Sequence, residues 1–177
     1  MLTAMKNLFP ALLLLLPFAG GLVSCSNQVM ARRPVSYHFE YGRTALLRNG
    51  LAYAPRNAPS AVKRAIAAGN RLQHKPYKWG GGHAHLQDSG YDCSGTVSYV
   101  LREAGLLRGS MPSSSFFRYG AKGEGKWITI YARHGHVFMT VAGLRLDTGG
   151  PGECCGPRWK PETRQGSGHV MRHPPGL

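Results

Sequence analysis

Three residues of this chain have the types needed for nucleophilic catalysis if the fold brings them together: Cys93, His136 and Asp147. A thiol attacks a carbonyl only as thiolate, so a nucleophilic cysteine needs surroundings that favour the anion. Cys93 lies in Asp92-Cys93-Ser94-Gly95, directly before an apolar run of Val97, Val100, Leu101 and Ala104 that stops at Gly105. Asp92 suits an N-cap and Gly105 a C-terminal stop, which predicts a helix with Cys93 in its first turn. There the sulfur meets the positive end of the helix dipole, and amides without intrahelical partners can bind the oxyanion of a tetrahedral intermediate. The plainer reading is a buried cysteine acting as a small hydrophobe. The flanking Asp92, Ser94 and Gly95 argue against it.

The base has to arrive through the fold, because catalytic partners meet in space and not along the chain. His136 opens the strand-like run His136-Val137-Phe138-Met139, and a sheet would fix its imidazole. His134, two residues earlier, is the reserve; His83, His85, His169 and His173 are read as structural or solvated. Asp147 falls in the next strand across a hairpin at Gly143, where it can accept a hydrogen bond from the far imidazole nitrogen and hold the tautomer. Thr148, its neighbour, points to the other face.

A zinc site is the competing chemistry, since His83-x-His85, His134-x-His136, Cys154 and Cys155 offer ligands. Neither His pair has the i, i+4 spacing of a helical site, and adjacent cysteines are not a C-x-x-C knuckle. No metal and no cofactor is expected.

The elements that must position these groups can be read from periodicity. Pro59 to Leu72 is predicted as a first helix, with Val62, Ala65, Ile66, Gly69 and Leu72 on one face. Lys75-Pro76-Tyr77-Lys78-Trp79-Gly80-Gly81-Gly82 reads as a loop, followed by the nucleophile helix. Trp127 to Ala132, His136 to Ala142, Leu144 to Thr148 and His169 to His173 read as strands. The result is an α+β fold with the nucleophile helix on an antiparallel sheet. The Gly/Pro-rich stretch from Gly149 to Gly168 is long for a loop in a compact domain, and is read as mobile or as part of a cleft.

Residues 1–24 read as a signal peptide with Lys6, an apolar stretch from Leu8 to Phe18, and small residues before Leu22-Val23-Ser24-Cys25. That ending resembles the lipobox of bacterial lipoproteins, which implies diacylglycerol on the Cys25 sulfur and durable attachment to a bilayer. Ser26 resembles the outer-membrane sorting pattern, so the expected location is the outer membrane facing the periplasm. Cleavage after Val29-Met30-Ala31 is the alternative. Residues 25–57 are then a tether and N-terminal extension, and 58–177 the catalytic domain. Lipid on Cys25 leaves Cys93, Cys154 and Cys155, an odd number in an oxidising compartment, with Cys93 the natural free thiol.

The chain holds 22 Lys and Arg against 8 Asp and Glu, a formal charge of +14. Only Lys6 precedes Cys25, so the mature chain keeps 21 basic and 8 acidic residues. No finger pattern, basic-aromatic RNA motif or heptad-linked basic helix accompanies that charge, which argues against nucleic acid. An anionic envelope polymer or lipid surface suits an exported chain better, and a merely solubilising charge remains the plain alternative. Nothing in the sequence fixes an oligomeric state.

Three blocks in order, Pro76-Tyr77-Lys78-Trp79-Gly80-Gly81, Asp92-Cys93-Ser94-Gly95 and Gly135-His136-Val137, resemble the NlpC-type cell-wall peptidase family. The resemblance runs from about Ala58 to Thr148 and implies a circularly rearranged papain-like core. It implies that Cys93 attacks, that His136 transfers protons, and that Tyr77 orients the nucleophile or stabilises the oxyanion. Asp92 and Ser94 would border the substrate cleft, with Trp79 as a further substrate contact. The implied substrate is the stem peptide of peptidoglycan, cut where D-glutamate is joined through its side chain to diaminopimelate or lysine. The chain departs from the family at Phe138 and Met139, where smaller residues are usual, and at the third position, usually His, Asn or Gln, where Asp147 and Thr148 stand. A wall-binding lipoprotein without catalysis and an acyltransferase on the same core are the alternatives from other classes.

Overall fold

The structure is a computed structural model that describes residues 28–149 and 156–177. The signal-peptide reading, Cys25 and the Cys154-Cys155 pair lie outside the described residues. Among the described residues, no helix is long and apolar enough to cross a membrane.

Two helices and a six-stranded antiparallel sheet make the core, an α+β arrangement. The first helix, α1 (Ser60–Arg71), is flanked by Pro59 and Leu72 as its caps, and its buried side is Val62, Ala65, Ile66, Ala68 and Gly69. The expected apolar face is thus the face that packs. The second helix, α2 (Cys93–Glu103), starts on Asp92, whose side chain accepts from the Gly95 amide. It ends as a glycine stop requires: Gly105 takes φ +78°, and the Leu106 amide returns to the Leu101 carbonyl at 2.8 Å.

The sheet strands are β3 (Ala121–Lys122), β4 (Ile128–Arg133), β5 (His136–Val141), β6 (Leu144–Asp147), β7 (Arg158–Lys160) and β8 (Val170–His173), in the order β3-β8-β4-β5-β6-β7. A 3-10 helix, Ser113–Arg118, precedes β3 and drives Phe116 into the core. Alternation explains the layering: Ile128, Ile130, Val137, Met139, Val141, Leu144 and Leu146 join one core cluster with both helices, as period-two strands demand. Tyr131 and Phe138 belong to a second, smaller cluster with Ala31, against which Val35 packs.

Two features were not legible as elements. Residues 46–53 form a hairpin, β1 (Leu46–Arg48) and β2 (Leu51–Tyr53), whose Asn49-Gly50 turn has φ +51° and +75°. Both central residues of a type I′ turn need positive φ, which is why Asn-Gly serves there. Within the stretch read as a loop from Gly149 to Gly168, β7 pairs with β6, so that its residues 158–160 are sheet edge. Pro157 and Pro161 bracket this strand and mask its three-residue signal.

Asn70 of α1 ties these late additions to the core. Its amide donates to the Ala52 carbonyl and its oxygen accepts from the Ala52 amide, each at 2.9 Å, and the same oxygen accepts the Trp159 indole N–H at 2.8 Å. Trp159 itself packs against Gly69, where no side chain would fit. Replacing Asn70 with Ala strands three partly buried polar groups, so Asn70→Ala should lower unfolding free energy by on the order of 2–3 kcal/mol. Urea denaturation measures this; an unchanged midpoint would show that the hairpin and β7 do not depend on the helix.

Candidate active site

The loop before Cys93 is joined to the start of α2 by glycines. Tyr77 and Tyr91 form a parallel bridge, with the Tyr91 amide on the Pro76 carbonyl at 3.0 Å and the Lys78 amide on the Tyr91 carbonyl at 3.3 Å. A Cβ on Gly95 would overlap the Gly81 carbonyl oxygen, and one on Gly81 would overlap that of Gly90. The Trp-Gly-Gly and Asp-Cys-Ser-Gly blocks are therefore two halves of one backbone contact, possible only where both lack side chains.

Asp92 locks the contact. Its Oδ1 accepts from the Gly95 amide at 2.6 Å and the Ser94 hydroxyl at 3.0 Å, while Oδ2 accepts from the Gly80 amide at 3.1 Å. His83 Nε2 lies 3.2 Å from Asp92 Oδ1 and 3.1 Å from Ser94 Oγ. Asp92 and Ser94, read as bordering a substrate cleft, are buried here and engaged with the protein itself. His83, read as structural or solvated, closes this clamp beside Cys93; its place directly after three glycines was the available signal. Trp79 is 88% exposed at the tip of the same loop.

Asp92 occupies the Gly95 amide with its side chain and the Thr96 amide with its carbonyl, at 2.9 Å for the latter. The amides of Cys93 and Ser94 make no hydrogen bond among the described residues, which leaves two donors at the helix start for a developing oxyanion. Tyr77 is half-exposed nearby. Burial raises its phenol above the ordinary value, and the negative charges of Cys93 and Asp92 add to this.

His136 opens β5 on the Cys93 side of the sheet, near enough that the cysteine is among the groups that raise its imidazole. On its other side, Nε2 lies 3.0 Å from Asp147 Oδ1. An ionised carboxylate only accepts, so Nε2 carries a proton and Nδ1 is left for the sulfur. Register explains the reach: Met139 pairs with Leu146, so Asp147 falls opposite Phe138, one diagonal step from His136. His134 lies in the exposed turn, its ring tilted against that of Phe117 at 5.2 Å between ring centres.

Behind Asp147 stand two arginines that sequence reading did not single out. Arg145 Nη1 donates to Oδ2 at 2.8 Å, and Arg164 Nη1 lies 3.2 Å from the same oxygen. The Gly149 amide donates to Oδ1 at 2.9 Å. Arg145 alternates with Asp147 along β6, so both must share a face, and that spacing was the readable sign of the pair. Arg164 is fixed by the N-terminal segment: Val35 and Arg164 exchange backbone hydrogen bonds of 2.7 and 2.9 Å, and the guanidinium carbon sits 5.2 Å from the centre of the Phe138 ring.

Burial alone would raise the Asp147 carboxyl, but His136, Arg164 and the Gly149 amide together hold it below its ordinary value. Burial likewise acts to lower His136, and the hydrogen bonds and negative charge of Asp147 and Cys93 outweigh it, pushing the imidazole up to about 9. The arrangement brings a cysteine, an imidazole raised toward its protonated form and a carboxylate lowered toward its ionised form together. Among the described residues no three His, Cys, Asp or Glu side chains converge as metal ligands would.

No model of a known protein family matches this chain, and no curated protein aligns with it significantly.

The charges make the site sensitive to pH in a defined sense. His136 is raised above its ordinary 6.5, so its contribution to stability is complete below that pH and is lost as pH climbs through about 9. Asp147 is lowered, so its contribution holds above the ordinary carboxylate range and fades on acidification. NMR titration of His136 should find a midpoint near 9, and Asp147→Asn should bring it back toward 6.5. A His136 midpoint near 6.5 in the unaltered protein would break the electrostatic account of the site.

Proposed function

We propose that this protein is a cysteine peptidase of the cell wall, cutting stem-peptide amides of peptidoglycan with Cys93 as nucleophile and His136 as proton carrier. The single observation that carries the reading is the convergence of Cys93, His136 and Asp147 across a helix start and a hairpin, with the imidazole bonded to Asp147 and raised by both neighbours. The order of elements, nucleophile helix and then antiparallel sheet with the base on its second long strand, supports a papain-like core of the NlpC type. The three sequence blocks that resemble that family meet at this point of the fold.

In the first step the thiolate of Cys93 adds to the amide carbon, and the carbonyl electron pair moves onto oxygen. The Cys93 and Ser94 amides receive that oxygen, with the Tyr77 hydroxyl on the open side. The C–N bond then breaks as His136 gives its Nδ1 proton to the leaving nitrogen, leaving a thioester on Cys93. A water next gives a proton back to His136 while its oxygen attacks the thioester. The C–S bond breaks, and thiolate and imidazolium are restored. Asp147 stays ionised throughout, and its two arginines keep it so.

The substrate bond proposed is the γ-amide from D-glutamate to diaminopimelate, with Trp79 and Tyr77 on the approach to the sulfur. Export and acylation of Cys25 would set the enzyme on the outer membrane facing the wall. The Val29 carbonyl accepts from the Met171 amide at 3.0 Å, so a lipid at Cys25 would sit within about 14 Å of chain from the folded body. The mature chain's excess of basic residues favours an anionic polymer on the way to the bond.

Purified sacculi and defined muropeptides, incubated with the protein and with Cys93→Ala, provide the test. Mass spectrometry should find new peptide fragments with the first and none above background with the second. Fragments carrying an added amine in place of water would reassign the reaction to acyl transfer. Equal retention of both forms on sacculi, with no fragments from either, would leave a wall-binding protein.

A further inference from the structure

The residue that caps α2 has a choice of two amides. With Asp92 at the N-cap, Cys93, Ser94 and Gly95 are the first three helical residues, and an N-cap carboxylate ordinarily bonds the amide of the second or of the third. Here Oδ1 takes the third, Gly95, at 2.6 Å, and the Ser94 amide stays open. The two choices differ in chemistry. A carboxylate turned back by one residue would fill the Ser94 donor and set a negative charge where the oxyanion of the proposed reaction forms.

His83 is placed to decide between them. Its Nε2 lies 3.2 Å from Asp92 Oδ1 and 3.1 Å from Ser94 Oγ, and the Ser94 hydroxyl itself donates to Oδ1 at 3.0 Å. An ionised carboxylate only accepts, so Nε2 carries the hydrogen. Oδ1 is thus met by the Gly95 amide, the Ser94 hydroxyl and the His83 ring together, while Oδ2 accepts from the Gly80 amide at 3.1 Å. With 25% of the imidazole and 12% of the carboxylate side chain exposed, this is not the open surface pair that water weakens to little. The ring is also braced through its backbone. The Ser110 hydroxyl donates to the His83 carbonyl at 3.2 Å, and the amide of the next residue, Met111, donates to Ser98 Oγ of α2 at 3.0 Å. On the other side, Gly82 at φ +82° lies so close to the Tyr91 ring that no Cβ would fit.

We propose that His83 is a positioning residue for the reaction at Cys93: by holding the Asp92 carboxylate on the Gly95 amide, it keeps the Ser94 amide free for the oxyanion. The inference rests on Cys93 being the nucleophile and is independent of which amide bond it attacks. His83 acts through Asp92 and not on the sulfur, so its effect is confined to electrophiles attacked at a carbonyl carbon, where charge builds on oxygen. With p-nitrophenyl acetate the thiolate adds to such a carbon, p-nitrophenolate leaves, and an acetyl thioester remains on Cys93. With iodoacetamide the C–S bond forms as the C–I bond breaks and iodide leaves, and no oxyanion arises.

The full-length protein and its His83→Gln and His83→Met variants, treated separately with the two reagents, give the test, with the peptide containing Cys93 followed by mass. Gln and Met are alike in length, and only Gln has a side-chain N–H to offer Asp92. In His83→Met the acetylation rate should fall roughly tenfold with alkylation unchanged, and in His83→Gln acetylation should return to within about threefold of the original. On defined muropeptides the same loss should appear in kcat, with KM unchanged. Acetylation that survives in His83→Met, or acetylation and alkylation that fall together, overturns the proposal. Should His83→Met not fold, His83→Ala takes its place against His83→Gln. If muropeptides are not cut at all, the peptidase reading fails by itself, and the ratio of the two reagent rates still judges His83. A Cys93 that takes neither reagent removes the nucleophile, and the proposal with it.

Discussion

Asp147 keeps an ionised carboxylate wholly out of water, and the rest of the site is arranged around making that tolerable. A buried charge with one partner removed costs about 3–5 kcal/mol, so the group persists only where every lone pair is met. Here two donors serve each oxygen: His136 and the Gly149 amide on Oδ1, Arg145 and Arg164 on Oδ2. The consequence runs outward. Because the carboxylate cannot take a proton, the imidazole must keep one on Nε2, and its Nδ1 must face the sulfur. The proton geometry of the proposed reaction thus follows from the charge balance behind it.

That balance has its own cost, and Arg145 bears it. Its side chain is 2% exposed, and burial lowers the guanidinium below its ordinary value despite Asp147 and Glu162. Nη1 and Nη2 are satisfied by Asp147 and the Glu162 carbonyl, yet Nε has no partner. A neutral core at this place would be cheaper, since buried ion pairs are often matched by apolar packing. The arginine makes sense as a device that fixes one charge state and one position for Asp147, which is what a catalytic imidazole needs from its partner.

Elements with a local signature were legible in the sequence, and contacts between distant segments were not. The α2 helix with its Asp92 cap and Gly105 stop, and the hairpin at Gly143, are written in residues a few positions apart, so their limits in the structure lie close to those expected. Asp147 could be assigned because strand alternation and one hairpin suffice to bring it near His136. Arg164 could not, since its approach depends on a backbone bridge to Val35, more than a hundred residues away. His83 was passed over for a similar reason: its partners Asp92 and Ser94 are set by the way the glycine loop folds back, which no periodicity records.

The N-terminal extension shows where a boundary drawn from composition and one drawn from packing part company. Residues 25–57 lack a clean period, which sets them apart from the helix that follows. The described part of that segment nevertheless completes the body. Ala31 and Val35 cover Tyr131 and Phe138, the Ala31 amide bonds to the His169 carbonyl at 2.8 Å, and the Ala45 amide to the Ala142 carbonyl at 2.8 Å. Through Val35 the same strap holds Arg164, and through Arg164 it touches the carboxylate that aligns the imidazole. The described N-terminal segment is therefore mechanically continuous with the proposed catalytic group, with two backbone hydrogen bonds and one guanidinium as the connection.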